Sequence, residues 1–546
     1  METLYNIMFL LASIGLFILS TQIISEGLES LADRKVKSMF SKISSKRLPN
    51  VGIGIATTAI VQSSSATTVM TIGLVNAAVI TLLQATYIIM GANIGTTITA
   101  QIAALQSYSF TDIFLIFTFI GVLMNVLSKK DMVKKIGYAL VGLGLIFFSI
   151  KCMTLSVSTL KDNPVFVDIL TSISNPFLLL LAGAVFTAIV QSSSVMTGIL
   201  IAIVANGLVI GNGGNSFLYV ILGTNIGTCI SAAIASVGAN ANGKRTALIH
   251  LLFNLIGSLL FFIFLVIYRD FAVEVLAKLF KHQSTQIAMF HTFFNVVTTL
   301  VLLPFAGALV KVATRLIKDN GEKGTSLKYI DDRLLKTPSI AVSMAIKEIN
   351  YLYNDAKESL VLASDDLMNK STKHFNKAVA LKEKVSKSNV LITEFLIKLT
   401  SSKLSEKERV RVSSLHHVIS DIDRISDLAV GIERCSQGIE KDNINFTETA
   451  YQDIKVMLDK LWELSDVSFD TFNKRDIKLL EKTEKVEDEL DVLRKKAVDN
   501  HIERLSNKEC EIISGGVYER IVNDLERIGD HMTFIARSII EVAHIN

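Results

Sequence analysis

Two identical polar tetrapeptides interrupt long apolar stretches of the chain: Gln62-Ser63-Ser64-Ser65 and Gln191-Ser192-Ser193-Ser194. Serine is a poor residue for a helix interior and a good helix cap, so each tetrapeptide reads as the break between two half-helices, with the serines opening the second. A helix start offers free N–H groups and a positive dipole end, which suit an anion. The hydroxyls and the glutamine amide add uncharged donors for a tetrahedral oxyanion. A second pair of motifs, Gly91-Ala92-Asn93-Ile94-Gly95-Thr96 and Gly223-Thr224-Asn225-Ile226-Gly227-Thr228, sets an amide and a hydroxyl beside a glycine break. Freed carbonyl and hydroxyl oxygens at such a break can replace the water around a sodium ion. The candidate ligands are Gln62, Ser63, Ser64, Ser65, Thr67, Asn93 and Thr96 in the first set. In the second they are Gln191, Ser192, Ser193, Ser194, Thr197, Asn225 and Thr228. For Thr57, Thr58, Thr67, Thr68, Thr71 and Thr97, helix–helix packing is an equal alternative.

No Lys, Arg, His, Asp or Glu occurs from Pro49 to Thr111 or from Ile169 to Gly243. A phosphate-like anion in this neutral surrounding has no cationic side chain, and helix dipoles offset only part of its charge where the dielectric is low. A co-bound cation supplies the remainder, so the residues themselves point to symport.

The motifs belong to an internal repeat. The tetrapeptides are offset by 129 residues, as are Gly15 and Gly144, and the Asn-Ile-Gly-Thr motifs by 132. The Gly- and Asn-rich stretch 211–215 accommodates the three extra residues. Two different motifs recurring in one order mark a duplication.

The elements that must position these groups are membrane helices. Half of the 546 residues are hydrophobic and the mean hydropathy is +0.45, with nearly all long apolar runs before residue 311. Spans of about 20 residues are expected at 4–28, 82–104, 111–128, 136–158, 217–238, 246–268 and 288–310. The interrupted stretches 49–80 and 173–205 are expected to be re-entrant hairpins, which a membrane allows only where protein covers the broken backbone. The first run has Glu2 where a signal peptide carries a basic residue and reads as a retained helix. With the N-terminus outside, one set of loops holds 12 Lys and Arg and the other holds 4. The richer set belongs in the cytoplasm, and so does everything after Lys311. Three crossings separate equivalent points, so the second copy (about 136–268) is inverted relative to the first (about 4–128). Inverted repeats with broken helices are a transporter pattern.

The paired Gln-Ser-Ser-Ser motifs, the paired Gly-x-Asn-Ile-Gly-Thr motifs and their order resemble the type II sodium–phosphate cotransporter family over about residues 1–310. The resemblance implies an inverted-repeat fold with inorganic phosphate and sodium bound between the two motif copies. It also implies sodium-driven uptake or, in some bacterial members, phosphate export. The copies differ at one point: Ala66-Thr67-Thr68 follows the first tetrapeptide, but Val195-Met196-Thr197 follows the second, one hydroxyl fewer. His250-x-x-Phe253-Asn254 and His291-x-x-Phe294-Asn295 form a further matched pair, with a histidine held by a neighbouring helix as the simpler role. Lys151, near the outer end of its span, is expected to snorkel.

From Lys311 the chain is rich in Lys, Glu and Asp. Residues 311–338, containing Asn320-Gly321 and Gly324, read as a charged linker. Helical periodicity then runs through 339–402, 407–440, 450–473, 475–506 and 510–544, giving five or six long antiparallel helices. Asp423-Arg424-Ile425-Ser426-Asp427 recurs as Glu526-Arg527-Ile528-Gly529-Asp530, offset 103. Each copy sets two carboxylates on one helix face, where like charges repel, so a bound cation or a facing basic residue is expected. Glu487 and Asp491 repeat the spacing and are placed to form an opposing wall. Ordinary solvated charge is an equal alternative for these carboxylates. This half resembles the PhoU family, which implies two three-helix repeats carrying metal clusters at Asp423 and Asp427 and at Glu526 and Asp530, with a divalent cation or iron, and a regulatory role.

The expected fold is therefore an all-α membrane protein. It is an inverted-repeat transporter with re-entrant hairpins in the inner membrane, followed by a soluble PhoU-like helical bundle in the cytoplasm. Its partners are inorganic phosphate, sodium and membrane lipid; a homodimer is compatible with the sequence, which fixes no oligomeric state. A carrier of another oxyanion, or a phosphate sensor without flux, are the alternatives. A net charge of +4 gives no reason to expect nucleic acid. Four scattered cysteines form no zinc or disulfide pattern. Gly238 to Lys244 imitates a phosphate loop, but Arg245 replaces its Ser/Thr. No catalytic motif supports an enzyme.

Overall fold

The computed structural model describes residues 2–41, 43–318, 327–336, 338–402 and 404–540, and among them there is no strand. The chain divides into two compact units, Met1–Gly324 and Thr325–Asn546.

The first unit begins with α1 (Glu2–Ser41), the broken pair α2 (Arg47–Val61) and α3 (Ser64–Asn76), then α4 (Leu82–Ala104), α5 (Leu115–Leu127) and α6 (Asp131–Leu160). The second copy follows as α7 (Pro164–Ser172), the broken pair α8 (Pro176–Val190) and α9 (Ser193–Ala205), α10 (Ser216–Ser236) and α11 (Ala241–Ile267). A π-helical turn, Ala272–Leu276, leads into the single turn α12 (Ala277–Leu279); α13 (Gln283–Leu302) and α14 (Ala306–Leu316) close the unit. Six of these helical segments are long and apolar enough to cross a membrane: Leu4–Ala32, Leu82–Ser107, Asp131–Leu160, Ser216–Ser236, Ala241–Ile267 and Gln283–Leu316.

Several expectations change. The expected span 111–128 is a 3₁₀ stretch, Ser109–Phe114, running into the 13-residue α5. The hairpin expected at 173–205 is preceded by α7, which meets α8 at 108°. Asn163 and Asn175 cap α7 and α8, each followed by a proline at the first helical position, so each helix starts afresh. Lys151 does not simply reach for water: its Nζ lies 2.8 Å from Asp112 Oδ1. The helix expected at 288–310 starts at Gln283 and is bent through a 3₁₀ turn at Leu303–Phe305, where Pro304 removes a donor. It resumes as α14 to Leu316, so residues 311–316 are helix and not linker. Asn320, Gly321 and Gly324 lie outside the described residues.

The repeat is built into the backbone contacts. A Cβ on Gly54 would collide with the Ile88 carbonyl, one on Gly91 with the Val51 carbonyl and one on Gly95 with Ile55 and Thr58, so α2 lies directly on α4. In the second copy Gly183 meets Val220, Gly223 meets Leu180, and Gly227 meets Ala184 and Thr187, which sets α8 on α10 the same way. Small residues permit such approach, and in a membrane close packing is a main source of helix association. The copies also cross-pack: α3 lies against α10, and α9 against α4.

The second unit holds six helices: α15 (Pro338–Met368), α16 (Phe375–Thr400), α17 (Glu406–Lys441), α18 (Glu448–Lys474), α19 (Ile477–Ser506) and α20 (Ile512–Arg537). The run expected at 339–402 is two of them, turned at Lys370 in a left-handed conformation (φ 53°). Helices α15–α17 pack as one triplet and α18–α20 as another, joined mainly by α17 against α20.

Candidate functional site

Each tetrapeptide makes the same two-residue break. Gln62 ends α2 in the left-handed region (φ 52°) and Ser63 is extended (φ −146°) as the N-cap of α3. Gln191 (φ 58°) and Ser192 (φ −145°) repeat the pair between α8 and α9. Ser63 Oγ accepts the Ala66 N–H at 3.1 Å, taking one free donor of the helix start. Ser64 and Ser193, the first residues of α3 and α9, are both buried, while Ser65 and Ser194 are half-buried. The break is held from behind in the first copy. The Gln62 amide nitrogen donates to the Ala59 carbonyl at 2.5 Å, its amide oxygen accepts from Thr99 at 2.7 Å, and Ser25 donates to the Val61 carbonyl. Gln191 is exposed.

The threonines differ in a way their spacing does not reveal. Thr67 Oγ1 accepts from Thr58 at 3.0 Å and reaches the Ser63 carbonyl at 3.2 Å, so it is engaged within the fold. Its neighbour Thr68 is buried with an unpartnered hydroxyl, and Thr57 and Thr187 share that condition. A buried polar atom without a partner is costly and rare, so Thr68, Thr57 and Thr187 are stronger ligand candidates than Thr67. Thr197, Thr96 and Thr228 bond back to carbonyls one turn earlier in their own helices, at 2.9, 3.0 and 2.8 Å.

The two asparagines are not equivalent. Asn93 donates to the Ile89 carbonyl in its own helix at 2.9 Å. Asn225 is the centre of a buried network: it donates to Asn295 Oδ1 at 2.8 Å and Asn254 Oδ1 at 3.4 Å, and its Oδ1 lies 3.0 Å from His291 Nε2. The matched His-x-x-Phe-Asn pairs of α11 and α13 thus converge on the second motif copy. Nδ1 of both His250 and His291 is buried without a partner.

A separate cavity of about 370 Å³ lies between the ends of α4, α9 and the start of α13, lined by Gln106, Ser107, Thr154, Lys281, His282 and Ser284 among others. It brings Lys281 to the end of α9, a helix with no charged residue of its own.

In the second unit the carboxylates named from the sequence separate into two unlike places. Asp423 accepts from Ser386 at 2.8 Å and Asn389 at 3.0 Å, and Asp427 pairs with Lys382 at 3.0 Å, so α16 answers the first copy with donors. Glu526 and Asp530 instead face Glu487 and Asp491 of α19. Burial first, then the neighbouring carboxylates, push the Glu487, Glu526 and Asp530 carboxyls above their ordinary range. The opposing wall expected of Glu487 and Asp491 therefore faces the second copy, Glu526 and Asp530.

Comparison with known sequences follows this division. The profile described as Na+/Pi-cotransporter matches residues 16–155 and 161–302, one segment per copy, and the PhoU domain profile matches 454–539. A protein of Escherichia coli (strain K12), YjbB, whose name proposes inorganic phosphate export, is 24% identical over 547 residues, covering 98% of both chains. The protein YqeW of Bacillus subtilis (strain 168) is 34% identical over 307 residues, 56% of this chain and 96% of its own. The sodium-dependent phosphate transport protein 2B of Homo sapiens is 37% identical over 103 residues, 18% of this chain and 15% of its own. No solved structure matches the chain.

Proposed function

The chain belongs to the Na+/Pi-cotransporter family, and from that membership we propose that it moves inorganic phosphate together with sodium across the inner membrane by alternating access. It is a multi-pass membrane protein with a C-terminal PhoU domain, and a cytoplasmic placement of that domain fits the loop charges.

One observation carries the proposal. The same left-handed-then-extended break occurs twice, and each time it delivers a buried serine to the start of a helix inside sequence with no charged residue. Phosphate bound between the two breaks takes N–H groups of α3 and α9 and the hydroxyls of Ser64 and Ser193. The cross-packing of α3 on α10 and α9 on α4 supports a site shared by both copies. The unpartnered hydroxyls of Thr57, Thr68 and Thr187 supply oxygen to sodium. Sodium is needed because the neutral pocket leaves the anion's charge uncompensated. Inversion of one copy then lets the breaks open alternately to the two sides.

The PhoU domain is proposed to regulate this flux, with a divalent cation or iron held by Glu487, Asp491, Glu526 and Asp530. The full-length similarity to YjbB supports net export, which a symporter performs when the outward phosphate gradient outweighs the inward pull of sodium.

The test is labelled phosphate flux in proteoliposomes under an imposed sodium gradient. Flux that follows the gradient in direction and rate is expected. Flux unchanged when potassium replaces sodium at constant pH removes sodium coupling. Transport of sulfate but not phosphate removes the substrate, and binding without flux makes the unit a sensor.

A further inference from the structure

A second group of carboxylates in the cytoplasmic unit lies away from the repeated acidic motifs. Asp365 and Asp366 lie in the last turn of α15, His374 precedes α16 as its N-cap, and Glu433 comes from the C-terminal third of α17. His374 Nδ1 is 3.1 Å from Asp366 Oδ1 and 3.5 Å from Asp365 Oδ2, and one donor atom of each of these three residues lies within 4.8 Å of the others. Glu433 faces Asp366 from behind. Both Glu433 and Asp366 are fully buried; no N–H or O–H of another residue reaches the Glu433 oxygens, whose carboxyl meets that of Asp366, and Asp366 Oδ1 meets the His374 ring. Asp366 Oδ2 accepts the His374 backbone N–H at 2.6 Å, which fixes the carboxylate and turns its other oxygen inward. Two carboxylates and one imidazole therefore converge, with the Glu433 carboxyl behind them held by that of Asp366 alone. Nearby lysines are engaged elsewhere: Lys370 lies over the Tyr451 ring and Lys377 pairs with Glu358.

The fold itself does not require a polar group here. With the 103-residue offset that relates the two acidic motifs, Glu433 corresponds to Ala536. Ala536 is fully buried in an apolar cluster with Leu480 and Ile539. The second triplet thus packs the equivalent position with a methyl group. A buried carboxylate at the first is an expense that packing does not explain.

We propose that Asp365, Asp366, His374 and Glu433 form a binding site for a first-row divalent transition-metal ion that pins the α15–α16 turn to α17. Carboxylate oxygens with one imidazole suit Zn²⁺, Mn²⁺ or Fe²⁺, whereas Mg²⁺ and Ca²⁺ take oxygen donors. An ion about 2.1 Å from each donor holds donors at most about 4.2 Å apart, so small side-chain rotations bring the Asp365, Asp366 and His374 donors, within 4.8 Å of one another, onto one ion, which takes the place of the proton between Asp366 and Glu433. The aperture is on the Asp365 side, since Asp365 is exposed and Glu433 closes the back. The site is independent of the transport reading and of the cluster around Asp530.

The experiment uses the full chain in detergent, stripped with a chelator and carrying Glu526→Gln and Asp530→Asn to silence the other acidic cluster. Zn²⁺ bound per chain is measured by equilibrium dialysis. One equivalent is expected, lost on adding His374→Ala and weakened about tenfold or more by Asp365→Asn. Asp365 is exposed, so that variant leaves the fold undisturbed, and the fluorescence transition of the single tryptophan, Trp462, verifies folding of each protein. With Mn²⁺ as probe, pulsed electron paramagnetic resonance should show imidazole nitrogen coupling that His374→Ala abolishes. No Zn²⁺ bound by the parent, or equal binding by the parent, His374→Ala and Asp365→Asn, overturns the site.

Discussion

Gln62 and Gln191, 129 residues apart, adopt the same left-handed conformation, with φ of 52° and 58°. A glutamine in that region costs roughly 1–2 kcal/mol that a glycine does not. Gln62→Gly and Gln191→Gly should therefore keep or raise the thermal midpoint while deleting the amide. Phosphate flux in liposomes should fall in both. The loss should be greater at position 62, where the amide also ties the break to Ala59 and Thr99. Full flux in both variants would assign these glutamines to the turn alone.

Ser64→Ala and Ser193→Ala test the shared site. A buried hydrogen bond to a charged group contributes about 1.5–3 kcal/mol, so each change should weaken phosphate affinity roughly ten- to a hundredfold. If both hydroxyls touch one ligand, as proposed, the double variant should fall short of the summed losses. Titration of phosphate into the detergent-solubilised variants measures this. Strict additivity would place the serines at separate sites.

Thr68 and Thr67 separate ligation from packing. Thr68→Val removes a hydroxyl that has no partner in the fold, so thermal stability should hold or rise while the sodium dependence of flux shifts to higher concentration. Thr67→Val breaks the bond from Thr58 and should cost about 1 kcal/mol of stability instead. Differential scanning of both proteins with sodium titrations of flux distinguishes them. Reversed effects would put the cation near Thr67.

Glu348 makes the cytoplasmic unit sensitive to pH. It is 3% exposed, and burial raises its carboxyl above the ordinary range despite the N–H groups of Lys328 and Tyr329 that it accepts. A raised carboxyl binds its proton more tightly in the folded state, so this contribution favours folding at low pH. It is lost as pH rises through the folded-state value. Relative to the parent, Glu348→Gln should gain stability between pH 4.5 and 7, as followed by Trp462 fluorescence. A constant difference across that range would contradict the assignment.

What the sequence disclosed and what it hid follow from the range of the interactions involved. The break at Gln62-Ser63 obeys local rules of caps and turns, so it was legible twice. The α15–α16 turn was not, because Lys370 takes the left-handed position that glycine usually marks. Helix α7 was hidden for a related reason: Asn163-Pro164 and Asn175-Pro176 resemble a loop when read one residue at a time, and only their spacing encloses a helix. The His-x-x-Phe-Asn pairs were visible as a pattern, but Asn225, the residue they surround, lies 29 positions before Asn254 and 70 before Asn295. Glu433 and Asp366 are separated by 67 residues in sequence and shared no motif, so only the folded triplet brings them together.

At Gly54, Gly91 and Gly95, and at their counterparts Gly183, Gly223 and Gly227, the backbone of one helix comes against backbone carbonyls of its partner. Side chains act as bearings, since rotamer changes let one helix slide over another. Backbone seated on backbone has no such freedom. The α2–α4 and α8–α10 pairs are therefore two stiff plates, and any motion that opens the protein to one side must be taken up at their joints. The breaks Gln62-Ser63 and Gln191-Ser192 end the first helix of each plate, so under the proposed function the residues that meet the phosphate would also be the hinges on which the plates turn.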